Sequence, residues 1–189
     1  MFVVISGASG SGKSEYAESQ AAGLSNKDNT QLVYIATMMA FDEEARAKIK
    51  RHRLMRKDKG FATIECFYGL KGVKLNSNCT VLLDCMSNLV ANEMFNENGA
   101  GQQTVFEVMT GIDNILTQAK NVVIVTNEVF SDGCEYDDTT LRYIAYLGSI
   151  NKEMAKKADV VTEVVYGIPI NYKVRSEERR VGKECRSRW

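Results

Sequence analysis

The chain has 189 residues, 44% hydrophobic and 25% charged, and its 24 Lys and Arg balance 24 Asp and Glu. That length suits one domain with a real core, and the balance gives no support for a nonspecific nucleic-acid binder. No apolar run reaches the roughly 20 residues of a membrane-spanning helix, and "MFVVISGASG" lacks the basic and cleavage regions of a signal peptide, so a cytoplasmic location is expected.

In chain order, short apolar runs recur at residues 2–5, 32–36, 81–83, 122–125 and 160–165. They are rich in Val, Ile and Leu and nearly continuous, the pattern of strands buried on both faces. Thr162 and Glu163 interrupt the last of them. Helical stretches lie between, over 13–24, 42–56 and 139–158. Strand–helix alternation predicts an α/β fold with a mainly parallel sheet. "FATIEC" (61–66) fits a further edge strand, and "GIPINYK" (167–173) a final strand returning antiparallel. "NENGAGQQ" (96–103) is polar and glycine-containing and reads as a mobile loop.

One domain is expected over 1–174. The last fifteen residues, "RSEERRVGKECRSRW", change composition abruptly and read as a vector-encoded tail. Setting aside their six basic and three acidic residues leaves 18 against 21, a formal charge of −3. Cys66, Cys79, Cys85, Cys134 and Cys185 form no CxxC pair, and the one histidine cannot complete a zinc cluster; reduced, mostly buried thiols are expected.

The clearest motif is "GASGSGKS" (7–14), which fits G-x-x-x-x-G-K-[ST] between an apolar run and a helical stretch. In such a loop, Gly7, Ala8, Ser9, Gly10, Ser11 and Gly12 turn backbone N–H groups inward, and the helix that follows adds its positive end. Lys13 reaches the β- and γ-phosphates, and the Ser14 hydroxyl ligates Mg²⁺. The acidic metal partner is sought at the end of a neighbouring strand, and "TVLLDCMSNLV" offers Asp84. The plainer alternative is that Asp84 caps a helix starting near Met86. Thr126, Asn127 and Glu128 are expected at the same sheet edge.

His52 is the only histidine and stands in "IKRHRLMR" (49–56). At helical spacing it follows a stripe of Phe41, Ala45 and Ile49, and Arg56 comes four residues later. Lys48, Lys50, Arg51, Arg53 and Lys57 crowd around it. Three readings stay open on spacing alone: a packed helix residue, one more group in a solvated charge run, or a nucleophile toward a phosphoryl group.

The blocks "GASGSGKSEYAE" (7–18), "VYIAT" (33–37), "HRLMR" (52–56) with "TIE" (63–65), "LLDCMSNLVAN" (82–92), "VTNEV" (125–129), "INKEMAKKAD" (150–159) and "VVYGIP" (164–169) occur in a specific order and spacing. On these, the chain resembles the bifunctional adenosylcobinamide kinase / adenosylcobinamide-phosphate guanylyltransferase family of cobalamin biosynthesis. The resemblance implies a P-loop fold and two reactions. A nucleoside triphosphate, ATP or GTP, phosphorylates the aminopropanol hydroxyl of the corrinoid. A histidine then takes GMP from GTP and passes it to the corrinoid phosphate. By position, His52 is the guanylylated residue; Arg53, Leu54, Met55 and Arg56 flank the GTP site; Ala36, Thr37 and Met38 contact nucleotide; Glu65 and Asp84 are acidic nucleotide or metal contacts. A homotrimer is implied as well. Relatives carry an arginine in the loop where Ser9-Gly10-Ser11 stands, a glycine where Phe130 stands, and an arginine-rich segment where "DDTTLRYIAYLGS" keeps only Arg142. The alternatives are a P-loop kinase for another small alcohol and a nucleotide-binding regulator without turnover.

Overall fold

The structure, a computed structural model, describes residues 1–57, 59–129 and 136–175. Phe130, Cys134, Cys185 and the expected tail from 176 onward lie outside the described residues.

Among the described residues, seven strands form one sheet: β1 (Phe2–Ser6), β2 (Gln31–Ala36), β3 (Ala62–Glu65), β4 (Cys79–Asp84), β5 (Asn121–Val125), β6 (Val160–Val165) and β7 (Ile168–Val174). Their spatial order is β3-β2-β4-β5-β1-β6-β7. The first six run parallel to one another, and β7 alone is antiparallel, against β6. The helices are α1 (Lys13–Asp28), α2 (Glu43–Arg56), α3 (Met86–Phe95), α4 (Thr104–Gln118) and α5 (Asp138–Lys157). The α/β expectation therefore holds, including the edge position of 62–65 and the antiparallel return.

The continuous apolar runs follow from burial on both faces. Alternate residues of a strand point to opposite sides. Val81 and Leu83 enter one core with Phe2, Val4, Ile124 and the inner faces of α3, α4 and α5. Leu82 enters the other, with Val3, Ile5, Val123 and the α1 residues Ala17 and Ala21. Every residue of β4 and β5 is buried. Each such Val, Leu or Ile contributes about 1.5–3 kcal/mol relative to exposure.

The break in β6 has a local cause. Thr162 donates its hydroxyl to the Asn171 side chain at 2.8 Å, and the Tyr172 hydroxyl donates to Glu163 at 2.7 Å. These polar pairs link β6 to β7, which is exposed along most of its length. The 96–103 segment is a hydrogen-bonded corner. Buried Glu93 accepts from the N–H of Gly69 and of Ala100, at 2.7 and 2.9 Å, and residues 101–103 form a 3₁₀ turn.

Helix α4 went unnoticed in the sequence. Its Val105, Val108, Met109, Ile112, Ile115 and Leu116 keep helical spacing and pack into or against the first core. No described helix is long and apolar enough to cross a membrane.

Candidate active site

The loop after β1 is built by its glycines. A Cβ on Gly7 would lie 2.6 Å from both Ser11 Oγ and the Val164 carbonyl oxygen. Gly12 has φ 90°, where a side chain is strained. The loop is tied on two sides: the Gly167 N–H donates to the Ser11 carbonyl at 2.9 Å, and the Glu128 N–H donates to the Gly7 carbonyl at 3.2 Å. The turn between β6 and β7 and the segment after β5 thus hold it in shape.

Lys13 opens α1 and is buried, with Nζ donating to the Ala8 carbonyl at 2.9 Å across the loop. Burial pushes its pKa below the ordinary lysine value. Cys85 and Asp84 oppose this shift, while Lys48 adds to it.

Asp84 ends β4, but β4 is not the immediate neighbour of β1 that was expected. Strand β5 lies between them, because β1 pairs with β5 and β6. Asp84 does not cap the next helix either: Cys85 holds that position, without a side-chain hydrogen bond. Asp84 is 8% exposed, and its Oδ2 accepts from the Tyr34 hydroxyl at 3.3 Å. The same oxygen lies 3.5 Å from His52 Nδ1.

Helix α2 brings His52 there. Asp42 caps it by accepting from the Ala45 N–H at 2.7 Å, and Glu43 and Glu44 suit the positive end of its dipole. The expected apolar stripe is not sunk into the body: Phe41 is 71% exposed, and Ala45 and Ile49 are half-buried. Instead α2 forms a wall between two hollows. On one side lies a cleft of about 680 Å³, lined by residues 9–14 of the loop and by Met38, Lys48, Arg51, His52, Met55, Asp84 and Asn127. That volume is in the range of small-molecule sites. On the other side, Arg53, Leu54 and Glu65 line a groove of about 640 Å³, with Arg53 and Glu65 paired at 3.1 Å. Met38 borders both hollows.

The remaining expected positions divide by burial. Thr37 is fully buried and ties the ends of β2 and β4 together. It donates to the Cys85 carbonyl at 2.8 Å and accepts the Cys85 N–H at 2.9 Å. Ala36 is half-buried at the end of β2. Arg56 is buried beneath α2 and lines neither hollow. Thr126 donates to Asn151 on α5 at 2.7 Å, which explains its place in the core edge. Lys48 and Arg51 were noticed only as charge. Lys48 shares the His52 face at four residues back, and Arg51, three residues after Lys48, falls beside Lys48; both line the cleft.

Among the described residues no group of three or more His, Cys, Asp or Glu could hold a metal alone. Hard oxygen donors from Ser14 and Asp84, completed by phosphate oxygens, nevertheless suit Mg²⁺, which seldom takes an all-protein cage.

Residues 3–172 match the family model described as cobinamide kinase / cobinamide phosphate guanyltransferase. The chain belongs to this family. It is similar to the bifunctional adenosylcobalamin biosynthesis protein CobU of Salmonella typhimurium strain LT2, being 30% identical over 187 residues, which cover 92% of this chain and 100% of that protein. It is 29% identical to the protein of the same name from Escherichia coli K12, over the same shares of both. Among solved structures, an ATPase domain superposes with a TM-score of 0.53 at 14% identity, covering 93% of this chain and 77% of that one. That likeness concerns the P-loop fold alone. The cobinamide kinase match includes the phosphate loop, α2 and Asp84, so all walls of the larger cleft lie inside it.

Proposed function

We propose that this protein is a bifunctional transferase of cobalamin biosynthesis, which phosphorylates adenosylcobinamide and then converts the phosphate to adenosylcobinamide-GDP. Family membership supports both reactions. The observation that carries the assignment of residues is that His52 and the phosphate loop face one cleft.

In the kinase step, the corrinoid hydroxyl attacks the terminal phosphorus of ATP or GTP. The bond to the β,γ-bridging oxygen breaks, the nucleoside diphosphate leaves with the electron pair, and the hydroxyl proton passes to solvent. Lys13, the N–H groups of residues 7–14 and the start of α1 take up the charge that develops on the phosphate oxygens. Ser14 and Asp84 would hold Mg²⁺, which supplies further neutralisation. In the transfer step, His52 attacks the α-phosphorus of GTP. A P–N bond forms, the bond to the β-bridging oxygen breaks, and pyrophosphate leaves with the electron pair. A phosphate oxygen of the corrinoid then displaces the imidazole and receives GMP. Nδ1 of His52 faces Asp84, which favours the tautomer with its lone pair on Nε2 and points to Nε2 as the nucleophile. Lys48 and Arg51 add positive charge beside the phosphates. On the same reading, the groove with Arg53, Leu54 and Glu65 takes part of the nucleotide, the working unit spans 1–174, and the enzyme is a cytoplasmic homotrimer.

The test uses GTP labelled at the α-phosphate. The wild type should take up a label that is acid-labile and alkali-stable, and His52→Asn should take up none while still binding nucleotide. A wild type that binds GTP but stays unlabelled would leave a kinase without the transferase.

A further inference from the structure

Helix α2 carries the nucleophile of the transfer step, yet Arg56 is its only buried residue. Arg56 lies one turn beyond His52. Its guanidinium carbon sits 3.4 Å from the centre of the Tyr34 ring. Its Nη1 is 3.9 Å from Oε1 of Glu18 on α1, and both of these atoms are buried without a hydrogen-bond partner. The other Glu18 oxygen accepts from Lys59 at 2.6 Å. Stacking and charge therefore hold Arg56, not a directional bond. Tyr34, 3% exposed, donates to Asp84 at 3.3 Å, and Asp84 faces His52 at 3.5 Å. The contacts close a ring: His52 to Asp84, to Tyr34, to Arg56, and back along one helical turn to His52.

We propose that Arg56 is the positioning residue of guanylyl transfer. It seats α2 on Tyr34 and Glu18, and so fixes the place of the His52 ring over the α-phosphate. The resemblance puts Arg56 among the residues flanking GTP; its burial gives it this other task. A lysine there would keep the charge facing Glu18 but lose the flat face that stacks on Tyr34. Tyr34 lies buried beneath the guanidinium, but its hydroxyl also donates to Asp84, so Tyr34→Phe, which keeps the stacked ring and loses that hydroxyl, separates the seat from the carboxylate.

This rests on His52 being the guanylylated residue. The test measures single-turnover labelling at saturating α-labelled GTP in the wild type, Arg56→Lys and Tyr34→Leu. Labelling of Tyr34→Phe, as a control, and amide hydrogen exchange across α2 are followed beside it. Both variants should label about 10- to 100-fold more slowly, the loss expected when a reacting group is displaced by about an ångström. The double variant should be no slower than the slower single one, because both changes break the same contact. Exchange in α2 should rise in both variants but not in Tyr34→Phe, which keeps the stacked ring and should label faster than Tyr34→Leu. Wild-type labelling by Tyr34→Leu overturns the proposal. So does a labelling loss as large in Tyr34→Phe as in Tyr34→Leu, which would place the effect in the hydroxyl on Asp84 rather than in the seat. So does an Arg56→Lys defect that higher GTP repairs, which would make Arg56 a nucleotide ligand. If the wild type takes no label, the guanylyltransferase reading fails, and unchanged exchange in Tyr34→Leu then overturns the seat itself.

Discussion

The phosphate loop and helix α2 face each other across one cleft but are held by different physics. The loop is bound to the sheet through backbone: β1 pairs on both sides, Gly7 leaves no room for a side chain, and two neighbouring segments donate hydrogen bonds to it. Helix α2 is a charged rod whose only buried residue is Arg56. One wall of the site is therefore part of the core, while the other depends on a stacked cation. On the assignment proposed above, the two reactions draw on supports of unequal strength, the transfer step on the weaker one.

The comparison breaks first at Lys13. Lys13→Ala removes charge from the rigid wall, and corrinoid phosphorylation should fall by about 10²- to 10³-fold. Thermal stability should stay near wild type, since burial already disfavours this charge. A kinase assay beside a melting curve checks it; an unchanged rate would remove Lys13 from the mechanism.

Packing should separate the walls next. Leu83→Ala opens a cavity in the sheet core and should cost about 3 kcal/mol, lowering Tm by about 6–12 °C and both activities together. The matching truncation on the helix, Ile49→Ala, should cost no more than about 1 kcal/mol, because that side chain is half-exposed. Equal costs in denaturant titrations would show α2 to be part of the core.

The smallest effect is pH-dependent and lies at the opposite sheet edge. Asp159 accepts from the Phe2 N–H at 2.8 Å and pairs with Arg175 at 3.1 Å. Burial works to raise its pKa, but the Phe2 N–H, Arg175 and the chain's amino group outweigh this and hold it below its ordinary value. A depressed carboxylate stabilises the fold above its unfolded pKa, and the contribution is lost as pH falls through the folded one. Asp159→Asn should thus cost about 1 kcal/mol at neutral pH, after allowance for solvent screening, and nothing once the pH has dropped well below the ordinary aspartate value of 3.8. Stability measured across that window checks it, and guanylylation should not change.

Much of this was open to a reader of the chain. The phosphate loop is local: its glycines, Lys13 and Ser14 are contiguous, and strand and helix flank them. The parallel sheet followed from apolar runs at 2–5, 81–83 and 122–125, because strands covered on both faces have no polar side to show. Helix α4 was missed although its apolar residues keep helical spacing, since no motif drew attention to 104–118. The resemblance pointed to Thr37 and the sheet edge to Thr126; in the structure both hydroxyls tie buried elements together, a use that sequence position does not reveal.

The sequence by itself determined the chemistry available: a phosphate cradle at 7–14, an acid at 84, and one imidazole at 52. Tertiary structure alone decided that β5 would separate β1 from β4, that His52 would nonetheless meet Asp84, and that Arg56 would turn inward beneath its own helix while Arg53 turned out to Glu65. The physical reason is that helical spacing fixes which residues share a face but not which face meets the protein. For α2, with so little apolar surface to choose a side, that choice came from a tyrosine and a glutamate far away in the chain.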